Sequence, residues 1–217
     1  MERIKVAAFV YACSLVFALG CALKPERPAP AEPDLPAEEK AALEALRSKG
    51  AQFQWWNRTI DHKGEHVAPG WSGAFDGKSQ VSDADVQPLR LIKNIKRLSL
   101  GSQNITNEGL AVLADLRELE YLTVGGQKIS DRGIDKLADI KTLKELTLGS
   151  MKLTGKAFER FGQLQKLKHL KFDQTIPEDG LLCLKTLKGL EELDLSETNV
   201  ADDRVARRVT GPAATAR

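Results

Sequence analysis

Aromatic residues are scarce in this chain, at 6% of 217 positions, and its three tryptophans, Trp55, Trp56 and Trp71, cluster early. A core with few large rings must be aliphatic, and leucine dominates the apolar set here. Thiols are nearly missing as well: of three cysteines, Cys13 and Cys21 fall in an N-terminal apolar segment, leaving Cys183 alone beyond it. One thiol forms neither an intradomain disulfide nor a cysteine zinc site. Leu181, Leu182 and Leu184 around it mark a packed helical cysteine, a type that is usually inert. There is no excess of one charge either, since 32 basic and 30 acidic residues leave a net +2. That provides no overall basic footprint for nucleic acid. No glycine-rich phosphate loop, nucleotide motif or Ser-His-Asp order is present, so no cofactor is expected. At 42% hydrophobic and 29% charged, the composition is that of one globular domain with short appendages.

Histidine is also rare, and two of the three lie in one motif, His62-Lys63-Gly64-Glu65-His66. The order H-x-x-E-H is used by a class of zinc peptidases. It works on a helix, where both imidazoles share a face and the Glu lies beside the metal-bound water. Here Gly64 interrupts the motif, and Asp61 and Pro69-Gly70 flank it with loop formers. No third ligand declares itself. The sequence therefore predicts a polar loop, with a zinc hydrolase using His62, Glu65 and His66 as the minor alternative.

The N-terminus reads as an export signal. Arg3 and Lys5 precede an uncharged apolar run from Val6 to Leu19, the pattern of a secretory signal peptide. The run ends in Ala18-Leu19-Gly20-Cys21, which resembles a bacterial lipoprotein box, with Ala18 where Leu is usual. The resemblance implies cleavage before Cys21, lipid on Cys21, and, from Ala22 after it, an outer-membrane destination. An uncleaved anchor over Val6–Leu23 and plain secretion are the alternatives, and each exports the domain. Lys24 to Pro36 holds five of the nine prolines, which favours a stiff extended tether.

Beyond the tether the chain repeats itself. Leu98, Leu122, Leu146, Leu170 and Leu193 recur at steps of 24, 24, 24 and 23 residues. Further apolar columns keep the same phase: Leu100, Val124, Leu148, Phe172 and Leu195; Ile105, Ile129, Leu153, Ile176 and Val200; Leu110, Ile134, Phe158 and Leu181. Within a unit, the alternation of Leu98-Ser99-Leu100 predicts a half-buried strand. Thr106, Ser130 and Thr154 are good helix N-caps, and the spacing of Leu110, Leu113 and Leu116 is helical. A unit of one strand and one helix cannot bury its apolar side alone, so units must stack. Gln80–Leu89 repeats 104–113 in degenerate form, which predicts an atypical first strand near Ala74-Phe75-Asp76. Ala37 to Gly50 predicts a capping helix with Leu43 and Leu46 on its inner face.

These units resemble leucine-rich repeats, of the subclass with L-x-x-L-x-L followed by T-D-x-G-L; "ITNEGLAVLADL" and "ELDLSETNVADD" come closest. The resemblance implies an α/β fold, a right-handed solenoid with a parallel β-sheet on the concave face, helices on the convex face and an N-terminal capping helix. The expected organisation is a signal peptide at 1–20, a lipid-anchored Pro-rich linker at 21–36, and a cap with a degenerate first repeat at 37–94. Leucine-rich repeats follow at 95–203 and a weakly structured tail at 204–217.

Strand residues that alternate with the buried leucines face the concave side. They form two columns, Arg97, Tyr121, Glu145, His169 and Glu192, then Ser99, Thr123, Thr147, Lys171 and Asp194. Tyr and Arg are common anchors of protein interfaces. The expectation is a non-catalytic module that binds a protein or peptide through these ten residues, tethered to the membrane by lipid at the cell envelope, with no nucleic acid partner and no metal. A self-associating envelope protein is the alternative. Trp55 and Trp56 are expected to pack under the cap, or else to form a second contact patch.

Overall fold

The computed structural model describes residues 32–56, 59–60, 66–75, 81–101, 104–174, 176–195, 198 and 215–216. Met1–Ala31 is a separate unit, and everything below concerns the second unit, Glu32–Arg217. Residues 1–31, with Cys21 and most of the tether, lie outside the described residues, as do His62 to Glu65 and Val200.

Strands β1 (Gln52–Trp56), β4 (Gly70–Phe75), β5 (Ile95–Gly101), β6 (Tyr121–Gly125), β7 (Glu145–Gly149), β8 (His169–Asp173), β9 (Glu192–Asp194) and β10 (Thr215–Ala216) form one sheet in that order. It is parallel from β4 onward, and β1 joins antiparallel to β4. The short strands β2 (Thr59–Ile60) and β3 (His66–Val67) form a separate antiparallel ribbon. Leu98, Leu122, Leu146, Leu170 and Leu193 stand directly beside one another across β5 to β9, each at most 2% exposed. The 24-residue period is thus the length of one strand, one crossover and two turns.

The crossover segments are shorter than helices need to be on their own. Three contain α-helix: α2 (Asn107–Ala111), α3 (Asp131–Leu137) and α4 (Glu178–Cys183). In the third unit the helix expected from the spacing is replaced by two 3-10 turns, Gly155–Phe158 and Phe161–Gln163. Gly155 weakens helix at its first position, and Phe158 and Phe161 pack edge to face with centroids 5.2 Å apart.

The Thr-Asp-x-Gly signature has a definite job in the stacking. Asp83 accepts hydrogen bonds from the Thr106 N–H (2.8 Å) and hydroxyl (2.6 Å), one unit on. Asn107 accepts from the Ser130 N–H (3.0 Å) and donates its amide N–H to the Ser130 hydroxyl (2.9 Å), and Asp131 accepts from the Thr154 N–H and hydroxyl at 2.8 and 2.5 Å. Each acid or amide therefore staples its unit to the next. Gly109 and Gly133 leave the room: a Cβ at either would collide with the Asp83 or Asn107 side chain. Of the three expected N-caps only Thr106 caps with its side chain, accepting from the Glu108 N–H at 3.2 Å. The side chains of Ser130 and Thr154 cap nothing, being committed to the preceding unit. The series then stops. Gly155 has no side chain at the staple position, and Pro177, which would receive it, has no N–H to donate.

The N-terminal cap holds the expected helix, α1 (Ala37–Ser48), with Leu43 and Leu46 fully buried. Gly50, at φ 86°, closes it as a Schellman turn: Gly50 N–H donates to the Arg47 carbonyl (3.0 Å) and Ala51 N–H to that of Leu46 (3.1 Å). The first strand corrects the sequence reading by one residue. Gly73, not Ala74, stands beside Leu98, because the register slips between Trp71 and Ser72. The leucine position is empty of side chain there, and Phe53 of β1 fills it: a Cβ on Gly73 would lie 2.5 Å from the Phe53 ring. At the far end, β10 is an element the sequence reading did not assign; Thr215 and Ala216 pair with Glu192 and Leu193.

Candidate binding face

Parallel in-register pairing turns each sequence column into a row of neighbouring side chains, about 4.8 Å from strand to strand. Arg97, Tyr121, Glu145, His169 and Glu192 form one row. Ser99, Thr123, Thr147, Lys171 and Asp194 form the next, two positions along each strand. All ten lie on the face opposite the leucine core. Nine are partly exposed, whereas Thr147, though it faces the same way, is covered to 4% exposure. Its short side chain sits mid-sheet between Thr123 and Lys171, beside the longer Glu145 row.

The face is electrostatically organised along its length. The Arg97 guanidinium carbon stands 3.9 Å from the centroid of the Tyr121 ring, a cation–π stack across two strands. Among the described residues no carboxylate pairs with Arg97. At the other end the charges are joined. His169 Nδ1 is 3.6 Å from Glu192, and Lys171 Nζ lies 3.2 Å from Asp173 and 3.8 Å from Asp194. The N-terminal half thus offers a cation on an aromatic ring with no carboxylate partner among the described residues, and the C-terminal half a network with more acid than base.

Sequence reasoning missed an extension onto the cap. Gln54 of β1 pairs with Ser72 of β4, and Ser72 with Arg97, so the first row continues across both strands. Trp56, two residues beyond Gln54, is therefore on the same face, and at 40% exposed it is the most open tryptophan. Trp56, Gly70, Ser72 and Arg97 line one shallow depression. Trp71 is buried at 1%, and Trp55 packs on it at 5.4 Å between centroids. The two alternatives read from the sequence, a patch of repeat residues and a tryptophan patch on the cap, thus merge through Trp56 into one surface. The signal that could have shown this was the alternation Gln52, Gln54, Trp56 against Phe53, once β1 was seen to be an edge strand.

A second charged row lies where the strands begin. Glu120 is 2.8 Å from Lys144 and 3.6 Å from Lys96, and Lys168 is 3.3 Å from Glu191. These ion pairs link successive units beside the candidate face.

Other sequence-marked residues fall elsewhere. His66 belongs to strand β3, opposite Ile60, and not to the helix that a zinc H-x-x-E-H requires; its partners His62 and Glu65 lie outside the described residues. Among the described residues no group of three His, Cys, Asp or Glu is placed to hold a metal ion. Cys183 ends α4 half-buried, and burial, followed by the charges of Glu159 and Asp179, pushes its thiol up, away from reactivity. Gly101, Gly125 and Gly149 are in-register strand ends, and none has positive φ, so turn geometry does not require them. Crowding explains two of the three: a Cβ on Gly125 would lie 3.1 Å from the Gly149 carbonyl, and one on Gly149 3.1 Å from Asp173 Cβ.

The repeated strand, staple and crossover decide the architecture. The fold is a leucine-rich-repeat solenoid. No family model and no curated protein matches the chain. Among solved structures it is similar to internalin C2 of Listeria monocytogenes, with a TM-score of 0.42 and 16% identity over 82% of this chain and 93% of that one. It is similar also to the PEPR1–AtPEP1 structure, with a TM-score of 0.28 and 16% identity over 64% of this chain and 24% of that one. The solenoid rests on its own register and needs neither superposition.

Proposed function

We propose that this leucine-rich-repeat chain is a non-catalytic binding module that captures a protein or peptide partner on the open face of its sheet. The observation that carries the reading is the alignment of Trp56, Arg97 and Tyr121 on one row-and-cap surface. An exposed indole beside a guanidinium pre-oriented on a phenol ring is the composition of an interface anchor. The partner segment it fits is extended and carries a carboxylate for Arg97 next to an apolar side chain for Trp56. Basic residues further along the segment would meet Asp173, Glu192 and Asp194.

Display at the bacterial cell envelope through lipid on Cys21 completes the proposal, supported by the sequence from Arg3 to Cys21. Among the described residues no helix is long and apolar enough to cross a membrane. The test is crosslinked capture from native envelope, followed by identification of the captured protein. Trp56→Ala with Arg97→Ala is expected to abolish recovery of that protein while leaving the melting curve in place. Undiminished recovery with this variant would refute the open face as the site. Concentration-dependent mass in light scattering, with no captured protein, would favour the self-associating alternative.

A further inference from the structure

The turns ahead of β5 to β9 each carry a cation and recur once per repeat. Each is a two-residue turn, directly before the strand at Lys93-Asn94 and two residues ahead of it in the other four units, and the later ones repeat one backbone bond: Arg117 N–H to Asp115, Lys141 to Asp139, Gln165 to Gln163, and Lys188 to Thr186, at 3.0 to 3.1 Å; Lys166 stands one place after the equivalent position, which Gln165 holds. Lys93, Arg117, Lys141, Lys166 and Lys188 occupy these turns and all five are exposed. Stacked units place them in a row along one rim of the solenoid, one per strand, about 4.8 Å apart.

The acids of that rim are already used. Asp115 pairs with Arg90 at 2.8 Å, Glu118 with Lys96 at 2.7 Å, Asp139 with Arg160 at 2.6 Å, and Glu191 with Lys168 at 3.3 Å. The five turn cations, by contrast, have no carboxylate partner among the described residues. Lys141 bonds only neutral oxygens, those of Gln163 and Ala138. In a chain of net charge +2, this edge thus carries five cations without a carboxylate partner among the described residues.

We infer that this rim lies against the anionic headgroups of a lipid bilayer. Four of the five cations are Lys, compact charges suited to a fluid layer of headgroups rather than to bidentate recognition of fixed phosphates. No aromatic residue stands among them to stack a base, as single-stranded nucleic acid sites require. The inference rests on the anchoring reading for the bilayer's proximity: a tether of residues 24–36 spans about 40 Å at full extension. Docked by this rim, the strands run away from the membrane and the open face stays clear for its partner.

The test uses the full chain mixed with vesicles of phosphatidylcholine alone, or of phosphatidylcholine with phosphatidylglycerol. Amine acylation is followed lysine by lysine, with Lys128 and Lys152 beyond the other strand ends as internal controls. On the anionic vesicles, Lys93, Lys141, Lys166 and Lys188 should acylate roughly fivefold more slowly than on neutral ones, the factor associated with one headgroup-level cation. About 1 M salt, where the screening length is about 3 Å, should erase the difference. Equal rates on both vesicles, or equal slowing of Lys128 and Lys152, would overturn the inference. So would protection by soluble polyglutamate without protection by vesicles. Flotation separates the anchor from the rim. A chain that floats with both vesicles but shows no anionic footprint keeps its anchor and loses the rim contact. A chain that floats only with anionic vesicles, footprinted as above, keeps the rim contact and loses the anchor; flotation with neither removes both.

Discussion

Arg97 on β5 stacks over Tyr121 on β6, with 3.9 Å between guanidinium carbon and ring centroid. The stack holds a cation in a fixed orientation on the sheet surface, and removing either the guanidinium or the ring breaks it. In urea unfolding, a double-mutant cycle of Arg97→Ala and Tyr121→Ala should give a coupling of about 0.5–1 kcal/mol. Tyr121→Phe should preserve it, since the ring face remains. A coupling of zero would mean that the stack is not populated in solution.

Burial orders three neighbouring substitutions. Leu146 is 0% exposed on the core side, so Leu146→Ala should cost about 2–5 kcal/mol. Thr147, at 4% exposed, is shielded although it faces the other way, so Thr147→Ala should cost about 1 kcal/mol, near the value of one buried methyl group. Thr123, half-buried in the same row, should be close to neutral on replacement by Ala. Chemical denaturation measures all three, and a Thr147 variant indistinguishable from the Thr123 one would show that its burial contributes nothing.

The staples predict a contrast among glycines. Gly133→Ala drives a methyl group into the Asn107 amide and should lower the melting temperature clearly. Gly101→Ala meets only the Phe75 carbonyl, at 3.9 Å, and should be tolerated. Asp131→Ala, which removes the 2.8 Å acceptor of the exposed Thr154 N–H, should cost about 0.5–1.5 kcal/mol. Thermal melts that rank Gly101→Ala as the worst of the three would contradict the staple geometry.

Acid should loosen the cap through Asp85. Hydrogen bonds from the Ser82 hydroxyl and N–H and an ion pair with Lys49 hold its carboxyl at about 2, below the ordinary 3.8. A depressed carboxyl contributes fully above its unfolded value and loses that contribution as pH falls through its folded one. The expected window therefore runs from about pH 4 down to about pH 2. Wild-type stability should fall more steeply there than that of Asp85→Asn, read from urea midpoints across the range. Parallel curves would show that Asp85 is not held in the folded cap.

Most of the solenoid was legible because each unit repeats the same physics. Five leucines at one phase can be buried together only in register, and that register also fixes which side chains share the open face. What escaped depended on contacts between unlike segments. Gly73 hid the first strand because its missing side chain is supplied by Phe53, from a strand of opposite direction. The choice between the two placements of Trp56 turns on that same strand, and the cover over Thr147 is invisible because alternation reports direction, not cover. The third unit's helix failed at Gly155, where a side chain the other units rely on is absent.

That last absence has a mechanical meaning. In a molecule where every unit grips only the next, strength along the axis is set by the poorest joint. Between the third and fourth units, where Gly155 and Pro177 stand at the staple positions, no Asp-to-Thr latch exists; strand pairing, apolar contact and the bond from Met151 N–H to Gln174 remain. Under tension applied between the two ends, the chain should part there first, releasing the segment from His169 onward while the earlier units stay closed.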